Sequence, residues 1–172
     1  GDATDFDPGD GVATLPASGD CFPGGDSPCS AFLAAYDAAS SDFLWVRSIP
    51  AGALGSVRDV NLATDGEIVV PTAFVSEVVA FDAATGDEAW AFDIGASLRD
   101  VGFDGGRLLL AGMFEGTVDF DPGAGVAQRA AQGGTRDGFL AAYEAGTGGF
   151  LWVDAVEMTG GSADLWGLGA AD

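Results

Sequence analysis

A chain of 172 residues that is 48% hydrophobic has enough apolar mass to close a core of its own, and it is not a disordered acidic tail. Its 27 acids against 6 bases give a net charge of −21, a surface that repels phosphate backbones and anionic membranes and so excludes nucleic acid as a partner. With no histidine, neither a Ser-His-Asp nor a Cys-His device can be assembled from these residues alone. Every base is arginine, most acids are aspartate, and there are 28 glycines. Aspartate and glycine favour turns, so the composition predicts short elements and many loops. The acidic surface maintains solubility and suits a medium in which salt or calcium screens the carboxylates. No apolar run approaches the roughly 18 residues of a spanning helix. Residues 1–8 are acidic and turn-like rather than a leader, so the chain is expected to be a piece of a longer exported precursor.

The first segment, GDATDFDPGDGVATL at 1–15, returns as GTVDFDPGAGVAQRA at 116–130. Asp5, Asp7 and Asp10 lie on a bend tightened by Pro8, Gly9 and Gly11. Together with Asp119 and Asp121 of the second copy they are candidate ligands for Ca²⁺, which takes oxygen donors. The competing reading is a structural turn whose aspartates accept local backbone N–H bonds while Phe6 and Phe120 pack inward. Cys21 and Cys29 follow, with seven residues between them. A disulfide here implies an oxidising compartment and contributes roughly 2–3 kcal/mol. From Asp5 to Phe32 is 27 residues, against 20 from Asp119 to Phe139, so the cysteine loop is an insertion in one copy of a repeat.

Three hairpins come next in register: AYDAASSDFLW at 35–45, AFDAATGDEAW at 80–90 and AYEAGTGGFLW at 142–152. Each reads as an apolar strand, a tight turn and a returning strand carrying a tryptophan; in the second, Gly86 is free to take a positive φ. The middle copy lacks the DFDPG element. After the first two hairpins stand SVRDVNLATDGEIVVPTAF (56–74) and SLRDVGFDGGRLLLAGMF (97–114); after the third stands a shorter SADLWGLGAAD (162–172). The longer two contain paired apolar runs joined by Asp65-Gly66 or Asp104-Gly105-Gly106, which are hairpin signals. A full repeat is therefore four short antiparallel strands, the pattern of a propeller blade. The predicted fold class is all-β, a β-propeller fragment of about three four-stranded antiparallel blades in a single repeat region over 1–172. The first blade covers 1–50 and is closed by a strand at 163–170; the second covers 56–95 and the third 97–156. Propeller rings take about 4–8 blades, so the remaining blades are expected from a longer chain or from a second copy.

The motif Ala80-x-Asp82-Ala83-x-Thr85-Gly86-x-x-x-Trp90 resembles the repeat of quinoprotein-like β-propellers of the pyrroloquinoline-quinone type. The copy at 142–152 has Glu144 for the aspartate, and the copy at 35–45 has Ser40 and Ser41 for Thr-Gly. The resemblance implies that each tryptophan packs over the Thr-Gly turn of a neighbouring blade, which makes Trp45, Gly86, Trp90, Gly148 and Trp152 blade-docking residues. The DFDPG element with its following FLAAYD strand is similar to β-propeller repeats of large secreted bacterial proteins. The repeat architecture, with no catalytic constellation in the residues, leads to the expectation of a non-enzymatic structural or binding module of an exported protein, secreted, periplasmic or at the cell surface. Its loops would contact protein or glycan, without insertion into a membrane, and no cofactor is implied beyond the candidate Ca²⁺. The alternative is a fragment of a quinoprotein-type or glycan-active enzyme whose catalytic residues lie elsewhere; carboxylate pairs are plentiful here, but no context marks one out. Trp166, in the last segment, is a candidate exposed aromatic.

Overall fold

In a computed structural model of the protein, the described residues are 4–15, 31–49, 61–72, 76–132 and 136–157. Cys21, Cys29, Trp166 and the strand expected at 163–170 lie outside them. The described residues hold fourteen strands and no helix. Two hairpins make up the first unit: β1 (Thr4–Asp5) with β2 (Thr14–Leu15), and β3 (Ala31–Tyr36) with β4 (Phe43–Ile49). The middle unit is a four-stranded antiparallel meander of β5 (Asn61–Thr64), β6 (Ile68–Thr72), β7 (Glu77–Asp82) and β8 (Glu88–Asp93). The last unit repeats that meander with β9 (Ser97–Asp104), β10 (Arg107–Phe114), β13 (Asp137–Glu144) and β14 (Phe150–Val156). Between β10 and β13 it carries a small hairpin, β11 (Thr117–Asp119) with β12 (Gln128–Ala130). The leading strands β5 and β9 of the two meanders lie side by side.

The core fills the space between units. Val78 and Ala80 of β7 share one apolar cluster with Leu98 of β9, Leu108 and Leu110 of β10, and Phe139, Ala141 and Tyr143 of β13. Val78, Val79, Ala80 and Phe81 are all buried. A strand with successive residues buried has both faces covered, which fits a middle unit packed between two neighbours. Strand β14, at the edge of the last sheet, is mostly exposed.

The three tryptophan hairpins are built alike. Ala35 faces Trp45, Ala80 faces Trp90 and Ala142 faces Trp152, and in each case the register slips by a bulge at the next residue. In the turns, the N–H of Ser41, Gly86 and Gly148 donates to the carbonyl of Asp37, Asp82 and Glu144, each at 2.8 Å. These donors occupy left-handed backbone, with φ of 63°, 70° and 69°. Ser41 holds that conformation despite its Cβ, which ordinarily costs about 1–2 kcal/mol.

Successive units meet through these hairpins. Trp45 Nε1 donates to the carbonyl of Ala83 at 2.9 Å, and Trp90 Nε1 donates to the carbonyl of Ala145 at 2.9 Å. The indoles lie directly on the turns: a Cβ added to Gly86 would stand 2.5 Å from Trp45 Cδ2, and one added to Gly148 would stand 2.9 Å from Trp90 Cε3. The two contacts run in the same direction, each tryptophan reaching the turn of the following unit. Arg47 joins the first contact by donating to the Thr85 carbonyl at 2.8 Å and pairing with Asp87 at 2.9 Å. That ion pair is solvent-exposed and contributes less than about 1 kcal/mol. In the second contact Phe92 takes the corresponding place, stacked on Trp90 and lying against Gly148.

Trp45→Ala removes a side chain only 5% exposed and is expected to cost about 3–5 kcal/mol. Gly86→Ala is expected to be destabilising as well, since it adds left-handed strain to a collision with the indole. Urea unfolding of both variants checks this; a Gly86→Ala midpoint equal to wild type would contradict the contact.

Candidate binding site

All the meander strands alternate in direction, so the unit has two distinct ends. At one end sit the short turns: Gly105-Gly106 between β9 and β10, and the Thr147-Gly148 turn between β13 and β14, tied together by Ala145 N–H donating to the Gly106 carbonyl at 3.0 Å. In the middle unit Ala83 N–H donates to the Glu67 carbonyl in the same way at 2.8 Å. Trp45 and Trp90 dock at this end, on the Gly86 and Gly148 turns. The opposite end carries the β8–β9 connection through Ile94–Ala96 and the long β10–β13 connection, and it holds a cleft.

The cleft has a volume of about 440 Å³ and is lined by Ser76, Gly95, Ala96, Ser97, Met113, Phe114, Glu115 and Arg136. Ala96, Met113 and Phe114 are buried and form its apolar floor. Ser76 and Ser97 contribute hydroxyls, and Arg136 pairs through Nε with a carboxylate oxygen of Glu115 at the rim. Its only acid is therefore held by the guanidinium beside it. An apolar floor with a few polar groups around it is a composition that recognition sites share. Ser97, Met113 and Phe114 lie in the repeat element at 97–114, but sequence reading singled out none of the lining residues as a site. Three separate connections bring them together, and only the serines and the arginine among so many acids could have signalled them.

The DFDPG segments form the inserted hairpins, and the two copies are superposable in their bonding. Asp5 Oδ1 accepts from the N–H of Ala13 at 2.9 Å and of Asp7 at 3.1 Å; Asp119 Oδ1 accepts from Ala127 at 2.8 Å and Asp121 at 3.2 Å. Asp7 and Asp121 each accept from the glycine two residues on, Gly9 and Gly123, at 2.8 Å. These backbone donors, Ala13 foremost, hold the Asp5 carboxyl below its ordinary range. The aspartates thus close their own loops. A Cβ at Gly11 or Gly125 would stand 2.0 Å from an oxygen of the Asp7 or Asp121 carboxylate, which would have to move aside. Among the described residues no three acidic, histidine or cysteine side chains are placed as a metal-ligand group.

Each hairpin also lies back on its sheet. Phe120 is fully buried and packs on Phe139 with ring centroids 4.9 Å apart, and Phe6 packs on Phe32 at 4.6 Å. Tyr143 Oη donates to the Phe120 carbonyl at 2.9 Å, and Tyr36 Oη to the Phe6 carbonyl at 2.8 Å. Burial, with the nearby Asp121 charge, pushes the Tyr143 phenol up. Arg129 fastens the hairpin to β14 by donating to the Val153 carbonyl at 2.6 Å. The tips remain in solvent, and they present Val12 and Val126 at equivalent positions with 79% and 75% exposure.

The geometry defines a class: an all-β repeat protein of antiparallel meanders. Among the described residues no helix is long and apolar enough to cross a membrane. No protein-family model matches the chain, and no curated protein matches it. Among solved structures it is similar to BamB from Moraxella catarrhalis, at 17% identity and a TM-score of 0.39, over 72% of this chain and 42% of that one. The matched region is thus less than half the length of the BamB chain.

Tyr143→Phe leaves the buried Phe120 carbonyl unpaired and is expected to cost roughly 1–2 kcal/mol, with a smaller loss for the more exposed Tyr36→Phe; thermal unfolding of the two variants measures the difference. In the turns, Asp82 lies below its ordinary 3.8, chiefly through the backbone N–H and then the hydroxyl of Thr85, and Asp37 lies low through the same two groups of Ser40. A depressed carboxyl contributes stability above its unfolded value and loses it as pH falls through the folded one. The melting temperature is therefore expected to drop below pH 3.8, and Asp82→Asn should flatten that acid limb.

Proposed function

We propose that the protein is a non-enzymatic binding module of an exported bacterial repeat protein, contacting a protein or a glycan through the end that carries the cleft and the inserted hairpins. The observation that carries this reading is the contrast between the two ends. One end is consumed by tight turns and docked indoles. The other offers a cleft with hydroxyls, one arginine and an apolar floor, which suits a neutral hydroxyl-bearing or peptide ligand better than an anion, since the molecule bears a net charge of −21. Export is supported by the Cys21 and Cys29 pair, whose spacing suits a disulfide, and by the acidic surface. Enzymatic activity residing in residues elsewhere is the second reading, favoured only by the resemblance of the 80–90 motif to quinoprotein repeats.

Screening the intact chain against immobilised glycans and peptides tests the proposal. A ligand whose affinity falls tenfold or more, about 1.4 kcal/mol, in Ser97→Trp, which fills the cleft, while the melting temperature is unchanged, is the expected result. Binding indifferent to Ser97→Trp and to Arg136→Ala would place recognition elsewhere. Turnover of a glycoside by a longer chain that contains these residues, with none by these 172 residues alone, would favour the enzymatic reading instead.

A further inference from the structure

Four aspartates in the chain are followed directly by glycine: Asp10, Asp65, Asp104 and Asp137. Such a peptide can close on itself, because no Cβ beside the glycine nitrogen hinders its attack on the aspartate carboxyl carbon. A donor fixed on the carboxylate, or an acceptor fixed on the glycine N–H, opposes that step. Asp137 is 1% exposed, accepts from the Gln132 N–H at 2.8 Å, and precedes a glycine held in the β13 ladder. Asp65 is exposed, but its carboxylate accepts from the Glu67 N–H at 2.9 Å, and the Gly66 N–H donates to Thr64 Oγ1 at 3.0 Å. Asp104 and Gly105 are exposed too. Among the described residues nothing bonds to the Asp104 carboxylate or accepts from the Gly105 N–H. Phe103 stands where the other turn has Thr64, so the hydroxyl that holds Gly66 has no counterpart. Asp10, at the tip of the first inserted hairpin, has the same two freedoms, and the second hairpin has Ala124 in its place.

The Gly105-Gly106 turn also positions the seat of Trp90. The Gly106 carbonyl accepts from the Ala145 N–H at 3.0 Å, and the carbonyl of the same Ala145 accepts from Trp90 Nε1 at 2.9 Å. The middle unit has the same relay, from the Glu67 carbonyl through Ala83 to Trp45, at 2.8 Å and 2.9 Å. One relay begins at a guarded Asp-Gly turn and the other at an unguarded one.

We infer that Asp104 is a site of spontaneous conversion to isoaspartate, and that this conversion loosens the contact between the middle and last units. The Gly105 nitrogen bonds to Asp104 Cγ, and one carboxyl oxygen leaves as water, carrying the amide proton and one proton from solvent. Water then adds to the main-chain carbonyl carbon of Asp104, and the bond from that carbon to the nitrogen breaks. Of the protons of this water, one goes to the nitrogen and the other returns to solvent. The chain now runs through Cβ and Cγ, with the carboxylate on Cα, and no reactant besides water takes part. A methylene has entered a turn whose two glycines hold φ of 54° and 80°, a geometry matched to the twist of its strands. The lengthened turn draws the Gly106 carbonyl away from Ala145 and frees the peptide on which Trp90 sits. Conversion at Asp10 has no such consequence, because no contact between units begins there.

Ageing the intact chain in warm neutral buffer tests this, with peptide mapping by electron-transfer fragmentation to separate isoaspartate from aspartate. Isoaspartate is expected at Asp104 at an initial rate at least about tenfold that at Asp65 and Asp137, a barrier difference of about 1.4 kcal/mol. The aged chain should unfold at lower urea than the fresh one. Asp104→Glu, whose longer side chain does not close the same ring, should keep its midpoint on ageing even as Asp10 converts, while circular dichroism confirms its β signal. Equal rates at Asp104 and Asp65 in the wild-type chain would overturn the inference. So would an unmoved midpoint once Asp104 has converted, or an aged Asp104→Glu chain that loses as much stability as aged wild type.

Discussion

The structure depends on one repeated contact, an indole laid on a left-handed backbone residue of the next unit. It combines apolar burial with a directed hydrogen bond from the ring N–H to a turn carbonyl, and it leaves no room for a side chain at the seat. A four-stranded meander cannot bury both its faces alone; it becomes stable by stacking. The lock supplies the spacing and angle of that stacking, and Val78, Ala80, Leu98 and Leu110 then fill the interval. Because each tryptophan belongs to one unit and each seat to the next, the same hairpin serves as both giver and receiver.

The division between the two ends follows from this arrangement. Hairpins that must seat an indole have no freedom in length: their turns share the same bonding, and their aspartates and glycines are committed to it. Connections at the opposite end are free of that restriction, and there the chain carries its insertions and its cleft. The cleft and the stacking contacts thus draw on separate loops, as expected when a rigid scaffold displays variable connections.

Much of the scaffold was legible in the residues. The hairpins at 80–90 and 142–152 were readable because aspartate and glycine mark the turns and the copies fix the register; β7 and β8 lie at Glu77–Asp82 and Glu88–Asp93. What a copy cannot convey is whether its partner exists, so Trp152 looks identical to Trp45 in sequence and differs only in what covers it. The candidate calcium ligands are ambiguous for a related reason: a carboxylate that closes an Asx turn and one that binds a cation have the same neighbours in sequence. The tyrosine bonds were missed although a signal was present. Both tyrosines of the chain stand in copies that own a DFDPG hairpin, and the copy without one has Phe81 instead. The cleft had no signal of that kind, since Ser76, Ser97 and Arg136 share neither motif nor spacing.

That tyrosine-for-phenylalanine difference bears on how such a chain can change. The inserted hairpin satisfies its aspartates internally, and in both copies it reaches the sheet through one aromatic ring and one carbonyl that accepts from a phenol. It behaves as a cassette with a single polar socket. Losing the cassette would strand a hydroxyl, and exchanging tyrosine for phenylalanine removes that penalty with one oxygen atom. The middle unit shows the resulting state, with Phe81 buried and the β6–β7 connection short. The decoration of each unit can therefore be altered independently of the stacking that joins it to its neighbours.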